Sequence, residues 1–224
     1  MRSRPVIRAI TLDVGSTLID PWPSVGHVYA QIAARHGDGQ LDPATLTHRF
    51  VAAWNQRGAG FDYSQRAWAD LVGRTFAGLS PLATNPVFFH QLYGHFAQAE
   101  PWRVYPDVAP ALAALAARGL RLAVISNWDD RLRPLLEALG LARHFQPIIV
   151  SGELGVHKPD PAIFAQALAG LGLPAAAVLH VGDHPEEDIA GATRAGLTAV
   201  RIQRAAQTPA PHTITSLEEL VRWL

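Results

Sequence analysis

Asp13, Ser126, Lys158, Asp183 and Asp188 fall in four short polar breaks: Asp13-Val14-Gly15-Ser16-Thr17, Ser126-Asn127, Lys158-Pro159, and Gly182-Asp183 with Asp188. Brought to one crevice, they would supply a carboxylate, a hydroxyl, an ammonium and two more carboxylates. Three negative charges against one positive leave an excess of about two, and crowded carboxylates rise in pKa unless a cation joins them. Carboxylates with a backbone carbonyl and waters suit Mg²⁺, a hard ion that prefers oxygen ligands. Such an ion could neutralise a phosphate whose other oxygens are held by Lys158 and the Ser126 hydroxyl. Asp13 is then the candidate nucleophile, because a carboxylate can form an aspartyl-phosphate.

The elements that must position these groups are legible as apolar runs. Val6–Leu12 reads as a strand buried on both faces, and Leu120–Ser126, Pro147–Ser151, Ala177–Gly182 and Thr198–Gln203 read alike. Helical patterns such as Val108–Arg118 and Pro161–Leu171 lie between them. Strands alternating with helices predict a doubly wound α/β domain with a parallel sheet, and ligands of such sheets bind beyond the carboxyl ends of the strands. From about Trp22 to Trp102 no comparable strand occurs. Ser24–Arg35, Pro43–Gln56, Ser64–Phe76 and Pro86–Ala99 instead suit helices, with a flexible Arg57–Gly60 loop among them. The expected organisation is an α/β core of residues 1–20 and 103–224 and an inserted helical cap of residues 21–102, joined near Asp20–Pro23 and Glu100–Pro106.

Composition narrows the function classes. Nineteen basic residues offset nineteen acidic ones in 224, so no overall field favours nucleic acid or an anionic membrane. A small-molecule substrate is expected. The absence of cysteine excludes disulfides, thiolate zinc sites and a cysteine nucleophile. No apolar stretch reaches the roughly 20 residues of a membrane span, and the basic N-terminus leads into a strand interrupted by Asp13, so a soluble, cytoplasmic protein is expected.

The four motifs, in this order and around a helical insertion, resemble the haloacid dehalogenase-like hydrolase superfamily, in the subfamily whose cap lies between motifs one and two. LDVGSTL resembles motif one, VISN motif two, GVHKPDPAIF motif three and HVGDHPEEDIAGATRAG motif four. The resemblance implies that Asp13 is the nucleophile, Thr17 its supporting hydroxyl, Ser126, with Asn127 beside it, the phosphate-binding hydroxyl, and Lys158 the stabilising ammonium. It further implies that Asp13, the Gly15 carbonyl and Asp183 hold Mg²⁺, while Asp188 steadies Lys158 or metal-bound water. One position departs from the pattern. Phosphatases of the superfamily usually carry a second Asp two residues after the nucleophile to protonate the leaving group, and here that residue is Gly15. General acid–base help typically contributes about 10²–10⁴-fold. The chain is similar in this respect to the branch known as haloacid dehalogenase-like hydrolase domain-containing proteins, which SQRAWADLV and VISNWDDRL also resemble.

Around the missing acid stand His157, His184, Asp129, Glu186 and Glu187, which read equally as polar neighbours of the motifs. Trp54, Trp68 and Trp102 read as cap core. The readings are a Mg²⁺-dependent phosphatase acting on a small phosphorylated metabolite, a 2-haloacid dehalogenase that needs no leaving-group acid, or a catalytically weak binding protein on the same fold. Arg35, Arg49 and Arg57 could serve a haloacid carboxylate, but their spacing selects none of them.

Overall fold

The computed structural model describes residues 6–58, 60–204 and 212–224. Met1–Pro5, at the start of the basic N-terminus, and Ala59, within the expected Arg57–Gly60 loop, lie outside the described residues. The chain divides into a first unit of Met1–Ile19 and Val104–Leu224 and a second of Asp20–Arg103.

In the first unit a six-stranded sheet runs β5-β4-β1-β6-β7-β8, with every described pairing parallel. Its strands are β1 (Ala9–Leu12), β4 (Arg121–Ser126), β5 (Ile148–Val150), β6 (Val178–Gly182), β7 (Thr198–Ile202) and β8 (Thr213–Ile214). The chain leaves β1 toward β4 and β5, then returns to β6 on the other side of β1 and continues outward. That reversal makes the carboxyl ends of β1 and β6 a topological switch point, the usual place for a ligand crevice. Asp13 follows β1 and Asp183 follows β6.

The sheet is covered by α5 (Val108–Ala117), α6 (Leu132–Ala138), α7 (Ser151–Leu154), α8 (Pro161–Leu171) and α9 (Gly191–Arg194). Helix α8 shows why these residues form a helix. Asp160 accepts from the Ala162 N–H at 2.8 Å, Pro161 occupies the first turn, and Gly172 ends the helix in the left-handed region at φ 59°. Its Ile163, Phe164, Ala167 and Leu171 pack on Ala123, Ile125 and Val178 of the sheet.

The second unit is helical: α1 (Val25–Arg35), α2 (Pro43–Asn55), α3 (Gln65–Phe76) and α4 (Pro86–His95). Ser24, Asp42, Ser64 and Asn85 each accept backbone N–H bonds from the first turn they precede, so the starts were written in the sequence. Tyr29, Ile32, Leu46, Phe76 and Phe88 form its core. Trp54 stacks on Trp68 with ring centroids 5.6 Å apart, and Trp102 packs on Phe96 at 5.5 Å. All three tryptophans are half-buried.

Several boundaries differ from expectation. Strand β1 starts at Ala9 rather than Val6, and Ser151 opens α7 instead of closing β5. Helix α4 stops at His95, short of Ala99. Strands β2 (Ile19–Pro21) and β3 (Trp102–Val104) pair as a separate two-stranded ribbon that the sequence did not announce. Three residues are too few for an alternating pattern to show. No helix among the described residues is long and apolar enough to cross a membrane.

Candidate active site

The site residues come from loops at the carboxyl ends of β1, β4 and β6 and from the loop after α7. Asp13 is 7% exposed, Ser126 1%, Lys158 2% and Asp188 1%. The Lys158 ammonium donates to Asp13 Oδ1 at 2.7 Å and to Asp188 Oδ1 at 2.6 Å. Ser126 Oγ donates to the same Asp13 oxygen at 3.0 Å. Two side-chain donors thus converge on one oxygen of Asp13 and fix the rotation of its carboxylate.

Asp188 sits on a π-helical turn, Pro185–Ala190, a geometry that recurs at functional sites. Its Oδ2 accepts from the His184 N–H at 3.0 Å, and its Oδ1 also faces Nε2 of His180 at 3.1 Å. A Cβ on Gly182 would fall 2.2 Å from the Asp188 carboxyl carbon, so only glycine admits that carboxylate beside the end of β6. Carboxylate oxygens of Asp13, Asp183 and Asp188 all lie within 4.8 Å of one another. Asn127 is tied to the backbone of Lys158. Its amide donates to the Lys158 carbonyl at 2.9 Å, and its Oδ1 accepts from the Lys158 N–H at 2.7 Å. The same amide donates to Glu187 Oε2 at 2.9 Å.

The family model for haloacid dehalogenase-like hydrolases matches residues 7–196, spanning this entire constellation. The chain belongs to that family. It is 36% identical to haloacid dehalogenase-like hydrolase domain-containing protein 3 of Danio rerio, over 97% of this chain and 96% of that one. A phosphoglycolate phosphatase of Rhodospirillum rubrum is 33% identical over 86% of this chain and 78% of its own. Among solved structures, a 2-haloacid dehalogenase of Pseudomonas syringae pv. tomato is 26% identical with a TM-score of 0.64, covering 98% of this chain and 100% of that one.

The electrostatics of this hydrolase follow from burial and charge. Burial alone would lower the Lys158 pKa, but Asp13 and Asp188 outweigh it and hold the ammonium firmly charged. Burial would raise Asp188, yet Lys158 and the His180 hydrogen bond keep it well below the usual carboxylate range. For Asp13, burial pushes upward, Lys158 pulls down, and the Asp188 charge pushes up again, with a net rise. Asp183 is pushed up to about 7 by burial and by the charges of Asp13 and Asp188. Lys158 bonds directly to Asp13 and Asp188, and its pull on Asp183 is outweighed by burial and by the two neighbouring carboxylates.

Of the other expected site residues, Thr17 is buried, but its hydroxyl has no hydrogen-bond partner and does not join the network. Its carbonyl accepts from Arg204, which also pairs with Asp107 at 2.6 Å. Gly15, two residues after Asp13, has φ outside the left-handed region, and a Cβ there would meet Trp128 Cζ3 at 3.5 Å. Three of the alternative acids already have partners. Asp129 pairs with Arg131 at 2.6 Å, Glu186 with Arg194 at 3.0 Å, and His184 Nδ1 accepts from the Glu187 N–H at 3.1 Å. In the second unit, Arg49 donates to the Ala77 carbonyl, while the Arg57 guanidinium lies 3.9 Å over the Trp54 ring.

Sequence reasoning missed His180. Its ring is wholly buried in β6, with Nδ1 2.9 Å from the Thr11 hydroxyl on β1, and it packs edge-on against Phe164. Ionised Asp188 can only accept, so Nε2 carries a proton, and the Thr11 hydroxyl turns to suit Nδ1. A histidine inside an otherwise apolar strand was the available signal.

Proposed function

We propose that this hydrolase is a Mg²⁺-dependent phosphatase of small phosphorylated metabolites. The observation that carries the reading is the cluster of Asp13, Asp183 and Asp188, in which the single charge of Lys158 is shared by Asp13 and Asp188 and Asp183 is raised to about 7. Such a cluster seeks a hard cation. Asp13, Asp183 and the Gly15 carbonyl would hold the ion, which when bound would neutralise phosphate charge. Asp188 is the least available ligand of the three carboxylates, since both its oxygens already accept hydrogen bonds.

In this reading an Asp13 oxygen attacks phosphorus, the bond to the leaving oxygen breaks, and an aspartyl-phosphate forms that water then hydrolyses. Lys158 and Ser126 hold the nucleophile's orientation, and Lys158 neutralises charge gathering on the transferred group. Asn127 fixes the backbone from which Lys158 projects, and Asp188 fixes its ammonium. Gly15 supplies no proton, so esters with poorly basic leaving groups are the better substrates. The second unit, as a cap, would choose among phosphate esters.

Gly15 also favours a second reading, 2-haloacid dehalogenation, in which Asp13 displaces halide from carbon and no leaving-group acid is needed. The raised Asp183 argues against it, because a haloacid brings one more negative charge to the same place. Phosphate release and halide release, each measured with Mg²⁺ and with EDTA, separate the two. Mg²⁺-dependent phosphate release without halide release supports the phosphatase; EDTA-insensitive halide release replaces it with the dehalogenase.

A further inference from the structure

The residue nearest to the place where an acid would stand is aromatic. The Cζ3 edge of Trp128 lies 3.5 Å from where a Cβ on Gly15 would be, and among the described residues no other atom beyond its chain neighbours comes within 4 Å of that point. Trp128 follows Ser126, whose hydroxyl is bonded to Asp13, by two residues. Its backbone is clamped. The Trp128 N–H donates to Ser151 Oγ at 3.0 Å, and its carbonyl accepts from the Ser151 hydroxyl at 3.0 Å and the Gly152 N–H at 2.8 Å. A Cβ on Gly152 would fall 2.9 Å from that carbonyl, so the clamp requires glycine there. The Gly15 side is equally fixed, with the Ser16 N–H on the Ile19 carbonyl at 2.8 Å and the Leu18 N–H on the Val14 carbonyl at 2.8 Å.

Trp128 is half-buried, and the edge of its ring faces the position of a Gly15 side chain. We propose that Trp128 selects the leaving group, forming an apolar aromatic wall over Gly15 that favours phosphate monoesters of aromatic alcohols. The inference rests on the phosphatase reading and deepens it. Asp13 would form the new bond to phosphorus as the bond to the aryl oxygen breaks, and the aryloxide would depart with the electron pair and take its proton from solvent. An aryloxide is a weak base and needs no acid at residue 15, so the chemistry that Gly15 permits and the surface that Trp128 offers select the same substrates.

Calorimetry on the full chain with Mg²⁺ tests this with two ligands that cannot turn over, phenylphosphonate and methylphosphonate. The wild type should bind the phenyl compound about tenfold more tightly. Trp128→Ala should bring that ratio to about one with methylphosphonate affinity unchanged, and Trp128→Phe should keep most of it. A ratio preserved in Trp128→Ala overturns the proposal, as does loss of methylphosphonate binding in both variants, which would make Trp128 a structural residue. Equal binding of the two ligands by the wild type defeats this inference alone. Binding of neither defeats the phosphatase reading and this inference with it.

Discussion

His180 Nε2 lies 3.1 Å from Asp188 Oδ1, the oxygen that also accepts from Lys158 at 2.6 Å. The histidine thereby fixes the carboxylate that fixes the ammonium, one step behind the reacting groups. His180→Asn should lower kcat for phosphate release about tenfold while KM moves little, since a hydrogen bond to a charged group is worth ~1.5–3 kcal/mol. Steady-state kinetics with a thermal melt on the same sample check it. A KM rise of the same size would mean that His180 acts on binding instead.

The Asp183 carboxyl gives a pH signature. Its pKa rises from 3.8 to about 7 on folding, so the cation-free native state keeps a proton that the unfolded chain releases. This group's contribution to stability therefore falls as pH rises from about 3.8 to about 7, and Asp183→Asn should remove that slope. Mg²⁺ competes for the same site, so its affinity should weaken about tenfold per unit as pH drops below 7. Thermal melts across that range measure the first effect and calorimetric titrations with Mg²⁺ the second, each on wild type and Asp183→Asn. PH-independent affinity, or unchanged affinity in the variant, would remove Asp183 from the metal site.

Gly15→Asp would place a carboxyl two residues after the proposed nucleophile. The backbone is not in the left-handed region and a Cβ there would meet Trp128 at ordinary contact distance, so the substitution should fold without backbone strain. Mg²⁺-dependent kcat/KM should rise at least about tenfold for alkyl phosphates and far less for aryl phosphates, because only an alkoxide needs the proton. Equal gains for matched esters, or none in a well-folded variant, would show that a missing proton donor does not limit the reaction.

Replacing residues 20–103 with the corresponding segment of another family member should change which phosphate ester is preferred while leaving Asp13 essential. In the proposed reading Trp128 of the α/β unit holds the aryl preference constant, and the other contacts of that unit are general ones to phosphate and metal. Substrate profiling of the chimaera, alongside its Asp13→Asn variant, tests this. A profile that stays with the α/β unit in more than its aryl preference would contradict it.

The strands at Leu120–Ser126 and Ala177–Gly182 were legible because fully buried parallel strands are unbroken apolar runs, and the helix starts at Asp42, Asn85 and Asp160 because their caps are local. Asp13, Ser126, Lys158 and Asp188 could be named from the ends of such runs, and they meet in one hydrogen-bonded cluster. Contacts between residues far apart in sequence were not legible. Nothing local to Asn127 told that it would hold the backbone of Lys158, nor did the histidine of HVGD disclose a partner in Thr11, 169 residues away. The approach of Trp128 to Gly15 depends on the pairing of β4 with β1 and on the clamp from Ser151, both set by the assembled sheet. The β2–β3 ribbon escaped for a different reason, since three-residue strands carry no periodic signal.

In the proposed reaction Asp13 carries the phosphoryl group. The most direct measurement is to quench the protein during turnover of an aryl phosphate with Mg²⁺, reduce with borohydride, and map the product by mass spectrometry. An aspartyl-phosphate at Asp13 predicts homoserine at that position alone, with no homoserine when EDTA replaces Mg²⁺. Phosphate release with Asp13 unmodified under conditions that trap other acyl phosphates, or homoserine at a different carboxylate, would contradict the account.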